Sequence, residues 1–320
     1  MTNEITYETY RSCTLCPRMC RADRKNRTGY CGCGDQLYAA RAALHHWEEP
    51  CISGPSEPAS SGAVSGGSGT VFFSGCTLRC IFCQNYTISH ENFGQAVSAG
   101  QLARIFLHLQ EQGAYNINLV TPTQYLPHIV EALRLARPSL TIPVVYNCGG
   151  YERVETVQAL KDLVDIWLPD FKYFDSDLAR RCSGAPDYFP VASAAIAQMI
   201  RQTGPLVWED VPDLPSPLLK RGVIIRHMVL PSHRQDSIRI LRWISSNLPR
   251  DRFLISLLSQ YTPLFHSKEH PDLTRRVTSF EYNRVVEEAL NLGLNQGFMQ
   301  EKSSARQEYT PPFDLEGLNP

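Results

Sequence analysis

The sequence contains no run approaching the ~18 consecutive apolar residues that a membrane-spanning helix needs, which argues against that architecture. Its first residues, MTNEITYETY, lack the apolar core of a secretory leader, so the expectation is a cytoplasmic chain. Charge of one sign is lacking too: 31 Lys and Arg stand against 32 Asp and Glu, a net charge of -1. Bulk electrostatics therefore give a nucleic-acid partner no support. Internal repeats are absent beyond an alternation of strand-like and helix-like segments. Cysteine is not lacking. There are eleven, an odd number in clusters, and in a chain without a leader such clusters read as metal ligands rather than disulfides. With 320 residues and a hydrophobic fraction of 43%, the expectation is one large domain with an appendage.

The stretch at 74–89, SGCTLRCIFCQNYTIS, places Cys76, Cys80 and Cys83 in a C-x3-C-x2-C array on one short loop. Three thiolates are offered, not four. A [4Fe-4S] cube held by three cysteines keeps one iron open to an outside ligand. A structural zinc site made with His90 is the plainer alternative, but zinc motifs pair two short knuckles rather than one asymmetric triplet. Val71, Phe72 and Phe73 read as a strand delivering the loop. The spacing resembles the signature of radical S-adenosylmethionine enzymes. That resemblance implies an S-adenosylmethionine chelated at the open iron and cleaved to a 5'-deoxyadenosyl radical, with Phe82 beside the adenine.

Upstream, C-T-L-C-P-R-M-C and C-G-C carry Cys13, Cys16, Cys20, Cys31 and Cys33. Two knuckles suit a second metal centre, zinc or iron-sulfur, with Cys13, Cys16, Cys20 and Cys31 as ligands and Cys33 as the spare that could replace Cys31. The basic residues around them, Arg18 and Arg24 included, either offset a tetrathiolate's charge or form a solvated turn. His45, His46, Glu48 and Glu49 read as a surface or supporting stretch rather than ligands. Domain boundaries follow from composition: a Cys-rich metal-binding segment at 1–52, a Gly/Ser/Pro-rich connector at 53–69, a core at 70–265, and an extension at 266–320 packed on it.

Beyond the loop, helical spacing at 98–113, strand character at 116–120, a helix at 125–136, and strands at 142–147 and 165–168 alternate in turn. The region 174–204 is helical, 208–221 is a proline-broken hairpin or lobe, and 223–230 is the most strand-like run. A helix at 235–247 and a last core strand at 253–258 follow. Strands spaced by helices imply parallel pairing. The inferred fold is an α/β open (β/α)6 partial barrel with the cysteine loop after its first strand, and residues at the carboxyl ends of later strands should face that loop.

Those strand ends supply the remaining candidates. Thr121 and Thr123 stand where the resembled enzymes usually carry a Gly-Gly-Glu that engages the methionine amino group; their hydroxyls and backbone are the substitutes. Asn147 can hydrogen-bond a ribose, with Gly149 and Gly150 allowing close backbone approach or forming a simple turn. Period two puts Asp170 and Lys172 on one face, and a plain salt bridge is the alternative role. In 223–230, His227 faces one way and Arg226 the other. Together with Gln84 and Asn85, these motifs resemble proteins related to pyruvate formate-lyase activating enzyme, in a branch with an N-terminal C-x2-C-P-R-x-C segment. The resemblance implies cofactor contacts from Phe82, Asn85, Thr121, Thr123, Asn147, Asp170, Lys172 and His227. It also implies a reducing protein such as a flavodoxin or ferredoxin, and a glycyl residue of a partner enzyme as one hydrogen donor. Radical modification of a small molecule or peptide, or a non-catalytic iron-sulfur or zinc protein, are the alternatives.

Overall fold

The computed structural model describes residues 4–55, 66–212, 214–300 and 311–320. Most of the connector at 53–69 and the start of the tail at 305–310 lie outside the described residues. The elements in chain order are β1 (Tyr38–His45), α1 (Pro50–Ser53), β2 (Ser68–Phe73), α2 (Tyr86–Ser89), β3 (Gln95–Ala96), α3 (Ala99–Glu111), β4 (Asn116–Val120) and α4 (Leu126–Ala136). There follow β5 (Val144–Cys148), α5 (Val154–Ala159), β6 (Ile166–Pro169), α6 (Ser176–Ser183), α7 (Tyr188–Thr203), β7 (Val207–Glu209) and β8 (Leu218–Met228). The last are α8 (Arg234–Asn247), β9 (Leu254–Leu258), α9 (Ser279–Asn291) and β10 (Gly297–Met299). None of these helices is long and apolar enough to cross a membrane, among the described residues.

One sheet carries the fold, in the order β10-β9-β8-β6-β5-β4-β2-β1-β3, with β7 paired to β8 off that path. The six strands β2, β4, β5, β6, β8 and β9 pair in parallel, and the order does not close on itself. This is the open α/β barrel expected. Strands β2, β4, β5, β6 and β9 are buried along their whole length, as parallel strands covered on both faces must be.

Helices form where the local chemistry favours them. Thr278 and Glu281 close a reciprocal capping box on α9, and the Ser98 side chain accepts from the Gln101 N–H to cap α3; each cap is worth about 1 kcal/mol. The helical region at 174–204 is two helices rather than one, because Gly184 turns left-handed at φ 58° and ends α6. β8 begins earlier than its apolar run indicates, since residues 218–221 pair antiparallel with β7. Leu102, Phe106, Ile129 and Leu133 pack one set of helices outside the sheet, and Ile196, Ile240, Ile244 and Val285 pack another.

The second half of the N-terminal segment is built into the barrel. β1 adds antiparallel to β2, and α1 packs Cys51 and Ile52 among Val145, Ile166, Leu168, Ile224 and Leu254 at the bottom of the lumen. The plug leaves the carboxyl ends of the strands free for the cysteine loop.

Gly150 marks where the wall is tightest. Its φ is 75°, and a Cβ there would lie 2.0 Å from the Asp170 carbonyl oxygen, whereas one on Gly149 would press only the Leu78 Cδ1 at 2.5 Å. Gly150→Ala is expected to cost about 2–4 kcal/mol from left-handed strain plus overpacking. Gly149→Ala should cost about 1 kcal/mol, because a side chain can move aside. Urea unfolding followed by circular dichroism measures both, and equal losses would contradict the close approach.

Candidate active site

β2 runs out through Ser74 and Gly75 into the loop. Gly75 is obligatory: at φ 77° a Cβ would stand 2.1 Å from the Cys33 Sγ. Gln124, buried just beyond β4, braces the root of the loop by donating to the carbonyls of Ser74 (3.0 Å), Gly75 (3.1 Å) and Thr121 (2.7 Å). All three loop thiols reach the wall of one cavity of about 440 Å³ in the barrel lumen. Each sulfur also receives a hydrogen bond: the Leu78 N–H to Cys76 at 3.4 Å, the Ser183 Oγ to Cys80 at 3.0 Å, and the Ser89 Oγ to Cys83 at 3.2 Å. Burial pushes the Cys76 thiol up to about 11 and the Cys83 thiol up to about 12. A thiolate here therefore needs a cation to displace its proton. Donor chemistry, convergence on one cavity and the hydrogen bonds to sulfur fit a cluster whose charge is spread over several atoms.

Across the lumen lies a buried ion network. Arg226 donates to Asp170 (2.9 Å), Glu48 (3.2 Å) and the Asn147 Oδ1 (2.5 Å), and Lys172 donates to Asp170 at 2.6 Å. Burial raises the Asp170 carboxyl, but Lys172 and Arg226 overturn that, and it sits below its ordinary value. For Glu48 the balance goes the other way: burial outweighs Arg226 and the Asn118 donor, and the carboxyl is raised. Arg226 divides its charge among three acids, Asp170, Glu49 and Glu48, so none receives all of it.

Phe82, Asn85, Thr121, Asn147, Asp170 and Lys172 all line this cavity. Phe82 meets Tyr261 edge-on at 5.7 Å between ring centres. Thr121 holds a strained φ of 57°, uncommon for a β-branched residue. Two candidates lie elsewhere. Thr123 turns away and donates to Glu152 at 2.7 Å, because its side chain is committed to a buried cluster with Tyr146. His227 points into the layer between sheet and helices, where its Nδ1 meets the Phe171 carbonyl at 2.6 Å. Arg226, on the opposite face of β8, takes the place in the lumen. Glu48 and Glu49 also reach the cavity, as neither composition nor motif indicated; only the docking of α1 brings them there.

The N-terminal cysteines pack directly behind the loop. The Cys31 carbonyl accepts from the Cys76 N–H at 3.3 Å, and Arg18 donates to the Thr77 carbonyl at 2.9 Å and the Ser183 carbonyl at 2.7 Å. A Cβ on Gly29 would meet the sulfurs of Cys20 and Cys31 at 3.4 and 3.5 Å, and Cys13 and Cys16 are close enough to feel each other's charge and that of Cys20 or Cys31. Cys33 hydrogen-bonds to Cys31, which lowers the Cys31 thiol and raises its own, and its sulfur lies against Gly75. Among the described residues no three His, Cys, Asp or Glu side chains close tightly enough around one point to hold a single ion. Arg24, buried against the Tyr10 ring, donates to the carbonyls of Gly34 and Gln124 and so ties this segment to the brace of the loop.

Residues 70–200 match the Radical SAM superfamily. An uncharacterized protein of Methanocaldococcus jannaschii is 30% identical over 304 residues, which cover 91% of this chain and 78% of that protein. Among solved structures, SuiB of Streptococcus suis bound to S-adenosylmethionine superposes with a TM-score of 0.49 at 15% identity, covering 73% of this chain and 50% of its own. The chain thus spans half the length of that protein. QueE from Escherichia coli superposes with a TM-score of 0.41 at 11% identity, covering 82% of this chain and 94% of its own.

Glu152 lies just outside the cavity and gives a pH test of this wall. Burial pushes its carboxyl up to about 8, against hydrogen bonds from Thr123 and Tyr146. An unfolded Glu titrates near about 4.3. Between these values the folded chain holds a proton that the unfolded chain has lost, so stability falls as pH rises through that window and levels off above it. Glu152→Gln should therefore raise the melting temperature at pH 9 and change it little near pH 5, as followed by thermal unfolding across that range. A difference independent of pH would contradict the buried acid.

Proposed function

Because this chain belongs to the radical SAM superfamily, we propose that its lumen is the chamber in which S-adenosylmethionine is cleaved reductively and a hydrogen atom is taken from a substrate. The observation that carries this is the arrival of three thiols from one loop at the same cavity wall as Asn147, Asp170 and Lys172. When bound on Cys76, Cys80 and Cys83, a [4Fe-4S] cluster supplies an open iron and the electron that splits the sulfonium into methionine and a 5'-deoxyadenosyl radical. The chain's own residues do the rest. Ser183, Ser89 and the Leu78 N–H stabilise negative charge on the sulfurs. Phe82 offers an aromatic wall, and Asn85, Thr121, Asn147, Asp170 and Lys172 offer polar contacts to the cofactor. Plugged from below by α1, the lumen excludes water that would quench a radical.

A cavity of about 440 Å³ lies in the ordinary range of small-molecule sites. Cluster and S-adenosylmethionine would share that space, so the hydrogen donor of this proposal is a compact one, a metabolite or a single inserted side chain. The narrower reading, an activating-enzyme-like role on a glycyl residue of a partner enzyme, rests on the resemblance of the cysteine loop with Gln84 and Asn85, the Asn147 and Asp170-x-Lys172 strand ends and the N-terminal Cys-rich segment to that group. Two further parts belong to the proposal: a flavodoxin or ferredoxin as electron source, and a second centre, zinc or iron-sulfur, on Cys13, Cys16, Cys20 and Cys31, with Arg24 offsetting its charge.

Anaerobic reconstitution with iron and sulfide, reduction with dithionite and addition of S-adenosylmethionine should yield 5'-deoxyadenosine by chromatography. Joint replacement of Cys76, Cys80 and Cys83 by Ala should abolish it, whereas joint replacement of Cys13 and Cys16 should instead remove a separate portion of the metal per chain. Fully loaded protein that releases no 5'-deoxyadenosine would refute the chamber.

A further inference from the structure

Among the described residues, the acids of the lumen outnumber its cations, and they are not equally served. Glu48 accepts from Asn118 (3.1 Å), Asn147 (3.3 Å) and Arg226 (3.2 Å), and Asp170 accepts from Arg226 and Lys172. Glu49 feels the charge of Arg226 but, among the described residues, takes no hydrogen bond from it. It lines the same cavity with only 7% of its surface exposed. Ser256 on β9 lies near it and, with Arg226, works to lower its carboxyl against the larger effect of burial. Its Oε2 is fully buried and has no hydrogen-bond partner among the described residues.

The carboxylate cannot retreat to water. Glu49 is the cap residue of α1, and its carbonyl accepts from the N–H groups of Ile52 at 2.7 Å and Ser53 at 3.1 Å, so its backbone is fixed to the plug. A buried acceptor without a donor is costly, and a charged one more so. Among the described residues three acids, Glu48, Glu49 and Asp170, face two cations, Arg226 and Lys172, and burial raises both Glu48 and Glu49, so a third cation at the floor is what would hold the third acid ionised. An anionic group brought into that floor would be repelled; a cationic N–H would complete it.

We propose that Glu49 is the specificity residue of this chamber and that its substrate presents a cationic nitrogen, an ammonium or guanidinium group, to the floor of the lumen. The inference rests on the reading of the lumen as the radical chamber and adds the class of molecule that enters it. Charge, orientation and depth follow together: the cationic end is held at the bottom by Glu49, and the rest of the substrate extends toward the cysteine loop, where a hydrogen atom would be taken.

The test uses the anaerobically reconstituted, unreduced holoenzyme saturated with S-adenosylmethionine, so that any remaining preference is not the cofactor's. Three probes share one four-carbon chain and differ in charge: putrescine, butane-1,4-diol and succinate. Titration calorimetry should place putrescine at least about tenfold tighter than the diol, the scale of one charge-assisted hydrogen bond, with succinate weakest. Glu49→Gln should erase most of that preference and Glu49→Asp should restore part of it. Equal binding of the three probes, tighter binding of succinate, or an undiminished preference in Glu49→Gln overturns the proposal. If Glu49→Gln fails to load its cluster, the order of the probes on the native holoenzyme decides. No putrescine preference in holoenzyme that does release 5'-deoxyadenosine on reduction overturns this inference and leaves the radical reading standing. A preference kept by holoenzyme that releases none supports the cationic site and overturns the radical reading.

Discussion

A guanidinium withdrawn from water has to be met by charge and hydrogen bonds from several directions, and the rest of this structure is arranged to meet Arg226. Its partners come from distant parts of the chain: Glu48 from the segment before α1, Asn147 from β5 and Asp170 from the end of β6. Such a network contributes little net stability, because desolvation offsets most of the attraction. What it contributes is position. With Arg226 satisfied only when all three are in place, the plug, two central strands and the Asp170-Lys172 pair are locked in one register around the lumen.

The same economy joins the N-terminal segment to the cysteine loop. Arg24 grips the Gln124 carbonyl, Gln124 grips Ser74 and Gly75, and the Cys31 carbonyl takes the Cys76 N–H. The Cys-rich segment and the loop therefore form one body in spite of their separation in sequence. In the proposed centre, each hydrogen bond donated to a coordinating sulfur draws density from it and makes reduction easier, so Ser183 and Ser89 bear on the driving force of the electron transfer as well as on geometry.

Much of this was legible in the residues. The bounds of β4 followed from the strand character at 116–120, because local chemistry decides them. The array of Cys76, Cys80 and Cys83 needed no tertiary information. What escaped were choices that only packing makes. In a parallel strand buried on both faces, period two separates Arg226 from His227 but does not say which side is the lumen. The apolar neighbours of His227 gave no sign that its face meets helices. Thr123 looked available for the cofactor because its buried acidic partner, Glu152, lies 29 residues away. Glu48 and Glu49 read as a surface or supporting stretch, and nothing local reports that a four-residue helix will be driven into the bottom of a barrel and bring them to the lumen. The short strands β7 and β10, at three residues each, are too brief for periodicity to register.

The hydrogen bond from Ser183 to Cys80 spans 103 residues, and the grip of Arg18 on the Ser183 carbonyl spans 165. On the ribosome, the three thiols emerge well before the helix that shields one of them. During that interval Cys80 lacks its Ser183 donor and the loop lacks the Gln124 brace, although the Cys-rich segment behind it has already emerged. The full set of hydrogen bonds to the three sulfurs is therefore complete only once α6, from the middle of the chain, has docked.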